Sequence, residues 1–103
     1  GYALLVKQVS SNSMASRAGL LAGDKILALN NTIFINNKPS EFLAGIAKLK
    51  ADEVYTLLIL RENEQREFVA VYQEKDLPAF FLSVDMSSVA QAQQALDRIN
   101  SSN

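Results

Sequence analysis

The chain of 103 residues contains no histidine and no cysteine, and the two absences remove much of the chemistry open to a small protein. Without imidazole there is no base for a Ser-His or Cys-His nucleophile. Without thiols there is neither a disulfide framework nor thiol chemistry, an absence that does not choose a compartment. No Asp-Thr-Gly or Asp-Ser-Gly triplet is present for an aspartic dyad. Charge of one sign is also missing: ten Lys and Arg are scattered among eleven Asp and Glu, net −1, which leaves no basic face for nucleic acid. No apolar run approaches the roughly 18 residues of a membrane span. With no initiator Met and no signal-like start, the sequence reads as part of a longer chain.

What is present is the composition of one soluble globular domain, 49% hydrophobic and 20% charged. Its organising stretch runs from Ala18 to Asn31. Gly19 lies where a helix C-terminus needs a left-handed residue, a conformation that costs glycine little. Leu20 then returns toward the core, and Gly23-Asp24 forms a turn in which the Asp side chain can bond nearby backbone. Ile26 sits in the strand that follows, and Asn30-Asn31 closes it, because asparagine tolerates positive φ.

Around this corner, Tyr2–Val9 reads as a buried strand. The polar run Ser10–Ser13 can cap a short helix from Met14 to Gly19. Thr32–Ile35 reads as a strand, Asn36–Pro39 as a loop, and Ser40–Lys50 as a helix of about three turns that starts at Pro39 or Ser40. Phe42, Ile46 and Leu49 supply that helix's bulky face, with Leu43 beside them. Ser40, Ala44 and Ala47 form a neighbouring stripe of small residues, suited either to close packing against a strand or to lining a shallow groove. Val54–Leu60 and Gln65–Gln73 read as strands around a polar turn, Arg61–Glu64. Phe68, Ala70 and Tyr72 alternate with Val69 and Val71, which predicts partial cover on both faces. Tyr55 and Tyr72 suit core positions that keep the hydroxyl wet. The acidic residues of Asp52-Glu53 and Glu62–Glu64 read as solvated turns, not as a metal cage. Beyond Glu74, Lys75–Pro78 reads as a linker and Ala79–Val84 as a strand. A C-terminal helix follows with an apolar stripe at Val89, Ala92, Leu96 and Ile99.

The run Ala18-Gly19-Leu20, Gly23-Asp24, Ile26 and Asn30-Asn31, preceded by Val9–Arg17, resembles the PDZ domains of bacterial proteases. It departs from their pattern in carrying Asn12 and Met14 where Pro or Gly is frequent, and Asn31 in place of Gly. The tail, with Pro78, Phe80, Leu82, Val84 and Asp85 before a helix through Ala92, Ala95 and Arg98, resembles the C-terminus of the glycyl aminopeptidases, zinc peptidases of the gluzincin type. There Ile99-Asn100 departs from a frequent Trp-Leu ending.

The resemblance implies an α+β fold: a PDZ-like small β-sandwich or partly open barrel of five to six strands with two helices, plus a C-terminal strand and helix. Residues 1–76 would be a PDZ core lacking its first strand and carboxylate-binding loop. Residues 77–103 would add a strand and an amphipathic helix packed on that core. In such a family the zinc sits in a His-Glu-x-x-His helix, which this chain lacks, so the segment itself is expected to be noncatalytic and to hold no metal. The expected function is binding of peptide or protein C-terminal tails, or docking on the catalytic domain of the same chain. The compartment would be bacterial cytoplasm or periplasm. Ser40, Ala44, Ala47, Phe80, Phe81 and Leu82 are the candidate peptide-binding residues, with the place of the missing groove strand either left as an open edge or filled by Phe80–Val84. Pro78 and Ala79 are poor material for a carboxylate nest. A structural or oligomerisation module whose groove is filled by its own tail is the alternative, as is a PDZ domain of a trypsin-like or site-two-like protease.

Overall fold

A computed structural model describes residues 2–73 and 80–85. The expected linker at Lys75–Pro78 and the C-terminal helix through Val89–Ile99 lie outside them. The elements in chain order are β1 (Ala3–Val9), α1 (Met14–Ala18), β2 (Lys25–Leu29), β3 (Thr32–Ile33), α2 (Pro39–Ala47), β4 (Val54–Arg61), β5 (Glu64–Val71) and β6 (Phe80–Asp85). The strands form one antiparallel sheet in the order β5-β4-β2-β1-β6, with β3 attached to β2. The sheet does not close on itself, so β5 and β6 are its edges among the described strands. With two helices, this is a small α+β domain.

The glycine corner forms as its residues demand. Ser13 caps α1, its Oγ accepting from the Ser16 N–H at 3.1 Å. Gly19 ends the helix at φ 98°. The Leu20 N–H then donates to the Ala15 carbonyl and the Gly19 N–H to the Ser16 carbonyl, both at 3.1 Å, the two bonds of a Schellman motif. Leu20 is buried as a result. Gly23 makes the next bend, also at φ 98°, and its N–H donates to the Val6 carbonyl at 2.8 Å, which welds the turn to β1.

One core lies between the sheet and the two helices: Leu4, Val6, Met14, Ile26, Phe42, Ile46, Tyr55, Leu57 and Ile59 are all buried there. Phe34 meets Phe42 edge to face, with ring centroids 5.2 Å apart. A second cluster, Leu27, Ala28, Leu58 and Leu60 with Ile35 against it, occupies the opposite face. Both clusters draw on β2 because the register with β4 shifts between Ile26 and Ala28. A bulge inserts an extra residue, so a continuous apolar run can serve two faces.

Several expectations need correction. The helix expected over Ser40–Lys50 runs from Pro39 to Ala47 and is capped at Lys48. Leu49 lies beyond it and is half-buried against the core, while Leu43 is 39% exposed. The strand after the corner is only Thr32–Ile33. Arg61 belongs to β4, not to the turn, which is the two-residue link Glu62-Asn63, both at positive φ. The β5 strand starts at Glu64 and ends at Val71. Val69 and Val71, expected to be partly covered, are 65% and 49% exposed. Tyr55 is wholly buried, and burial raises its phenol pKa against the opposing charge of Arg17, so its hydroxyl is not wet.

Candidate functional site

The corner holds a buried carboxylate with a partner on each oxygen. Asp24, 1% exposed, accepts from the Leu21 N–H at 2.8 Å through Oδ2. Arg61, at the end of β4, donates to both of its oxygens: Nε to Oδ1 at 2.9 Å and Nη2 to Oδ2 at 2.8 Å. The same Nη2 donates to the Gly19 carbonyl at 2.9 Å, and the guanidinium lies 5.3 Å from the Phe68 ring centroid. The hydrogen bond to Asp24 raises the Arg61 pKa first, with smaller help from the charges of Asp24 and Glu62. With every carboxylate oxygen occupied, this pair is a clamp joining corner, β4 and β5, not a reactive centre. Of the structural motif residues, Gly19 and Asp24 meet in this clamp, Ala18, Leu20 and Ile26 enter the core, and Gly23 is exposed and bonds to β1. Asn30, at φ 52°, does a parallel job: its N–H donates to the Thr56 carbonyl at 2.8 Å and its Oδ1 accepts from the Thr56 N–H at 2.9 Å.

The candidate groove residues fall on two elements. Phe80, Phe81 and Leu82 lie in β6, in register with Val9, Gln8 and Val6 of β1. Ser40, Ala44 and Ala47 are exposed on α2, and α2 approaches β6. The small stripe is therefore not packed into the core. One of its members takes part in something else: Ala44 lines a cleft of about 400 Å³ together with Glu41, Gly45, Lys48, Leu29 and Phe34. Gly45 lets α2 approach closely there: a Cβ would come within 3.2 Å of the Phe34 ring, which would have to shift by a few tenths of an ångström. Glu41 also stabilises the start of α2, accepting from the Lys38 N–H and from Asn37 Nδ2. The backbone bond, then Asn37, holds its carboxyl below the ordinary glutamate range. Of the residues considered for a carboxylate nest, Leu77–Phe80, all but Phe80 lie outside the described residues.

No family model and no curated protein sequence matches this chain. Among the described residues no three acidic, His or Cys side chains converge to hold a metal ion, and no described helix is long and apolar enough to cross a membrane. The residue that the sequence reading missed is Arg61. It follows an apolar strand and precedes a turn, which is how a solvated arginine also reads. Its partner is 37 positions away, beyond the reach of any local pattern.

Proposed function

We propose that this chain is a noncatalytic peptide-binding or substrate-positioning module of PDZ type, taking up the C-terminal tail of a peptide or protein along the outer edge of β6 beside α2. The observation that carries the reading is the placement of Phe80–Asp85, antiparallel to β1 at a sheet edge with α2 nearby. An edge strand offers backbone donors and acceptors that an extended chain can pair with, and side chains of alternate residues then read the walls. Ser40 and Ala47, small and exposed on α2, leave room for those side chains. The tail pattern through Pro78, Phe80, Leu82 and Asp85 supports a parent among the glycyl aminopeptidases, with zinc held by a domain outside this chain.

Calorimetric titration of the 103-residue chain with peptides ending in a hydrophobic residue, free or amidated at the C-terminus, tests the binding. Saturable micromolar affinity that weakens on amidation is expected. Silence toward both would favour a structural module with a self-filled groove. The reading frame upstream of Gly1 is expected to encode a His-Glu-x-x-His helix; a Gly-x-Ser-x-Gly motif or a membrane-embedded segment there would instead point to a trypsin-like or site-two-like protease.

A further inference from the structure

We propose that the opposite edge of the sheet, β5, is a self-association surface that pairs antiparallel with β5 of a second copy of this chain, on a two-fold axis passing through Ala70. Edge strands are ordinarily guarded by charges, prolines or bulges, because their unpaired backbone groups template further strands. The first half of β5 follows that rule with Glu64, Arg66 and Glu67. The second half does not: Phe68-Val69-Ala70-Val71-Tyr72-Gln73 has no charge, no proline and no glycine. Its pairing with β4 runs without a register shift from Val54↔Val71 to Arg61↔Glu64, so no bulge turns the edge aside. Val69 and Val71 are 65% and 49% exposed, and Val54, paired with Val71, is 59% exposed, so an apolar row lies on the outer face beside the open edge.

Backbone geometry and charge both point to the occupant. The Tyr72 N–H and carbonyl are bonded inward, to the Glu53 carbonyl and the Asp52 N–H, each at 2.8 Å. By antiparallel alternation, Val71 and Val69 direct their backbone groups outward, ready to pair. The sequence around Ala70 is nearly palindromic: Val69 mirrors Val71, Phe68 mirrors Tyr72, and Glu67 mirrors Gln73. In an isologous interface residue i meets j while j meets i, so a two-fold at Ala70 sets Val69 against the partner's Val71 and Phe68 against the partner's Tyr72. Charge disfavours the registers centred on the Glu67 side. Glu67 then faces the partner's Gln73, whereas an axis at Glu67 would oppose two carboxylates and an axis at Val69 would set Glu67 against a valine. An unrelated strand would need only apolar character; the mirror pattern suits a copy of the same chain. The outer row then runs unbroken from Val54 through Val71 to the partner's Val69.

Because the chain has no cysteine, Ala70→Cys introduces a single thiol. Across the axis it would form a non-hydrogen-bonded pair with Cα atoms about 4.5 Å apart, within disulfide range. Mild oxidation of the full chain is expected to yield a covalent dimer, at a rate about tenfold or more above that of Val69→Cys. Sedimentation velocity is expected to show a concentration-dependent dimer that Val71→Lys, a change at an exposed position, converts to monomer while circular dichroism and Tm hold steady. A monomer at every concentration, faster cross-linking at Val69→Cys than at Ala70→Cys, or a dimer indifferent to Val71→Lys would overturn the proposal. So would capture of a different polypeptide at this edge by a chain that stays monomeric.

Discussion

The corner at Gly19–Asp24, the start of α2 and the turn before β4 use the same local device, a carboxylate that accepts the N–H three residues earlier. Asp24 takes the Leu21 N–H at 2.8 Å, Glu41 the Lys38 N–H at 3.2 Å, and Glu53 the Lys50 N–H at 2.9 Å. The difference lies in the surroundings. Asp24 is 1% exposed and shares both oxygens with Arg61, while the bonds at Glu41 and Glu53 face solvent. A water-facing carboxylate that loses its partner is simply rehydrated. A buried one has no such refuge, so its loss is felt in full. One motif thus serves as a removable cap at α2 and as a tertiary clamp at the corner.

The largest way to break this contrast is Arg61→Met, which keeps an unbranched stem of similar length but leaves Asp24 buried without its cation. It is expected to cost about 3 kcal/mol, read from the urea midpoint at unchanged m. Adding Asp24→Asn in that background should restore part of the loss; strictly additive losses would show that the two residues are not coupled. Next, Gly19→Ala isolates the backbone share of the corner. Its Cβ would meet only the Phe68 ring at an ordinary 3.9 Å, so the cost comes from φ 98° alone, about 1–2 kcal/mol. A thermal melt showing no loss would mean that the corner adopts another conformation.

The smallest effect belongs to the exposed cap. The folded pKa of Glu41 is depressed, chiefly by the Lys38 N–H and then by Asn37, so its contribution is present above the ordinary glutamate pKa and disappears as the pH falls through the lowered folded value. Wild type should therefore melt slightly above Glu41→Gln near neutrality and coincide with it in acid. A gap that widens on acidification would contradict that sign.

Much of the corner was legible because its causes are local. Glycine at a helix end, Ser13 as a cap and asparagine at a strand end each act through their own backbone preference within a few residues, and all three stand where the sequence places them. The strand at Phe80 was legible from its apolar run. The flanks of α2 were less so: Leu43 lies one residue from buried Phe42 yet is exposed, because helical position alone does not say how wide the packed face will be. The alternation in β5 separated two faces correctly, but the expectation of cover on both failed at the valine face. Cover is supplied by other elements, and the valine face of β5 has 65% of Val69 open.

Residue chemistry by itself determined the turns, the caps, the strand-rich α+β character and the lack of histidine and cysteine chemistry, because each depends on covalent structure and short-range backbone energetics. Only the tertiary structure decided that Asp24 meets Arg61, that a register shift in β2 divides apolar residues between two faces, and that β5 and β6 are the edges among the described strands. Those outcomes depend on contacts between residues far apart in the chain, whose energies exist only once the sheet has brought them together.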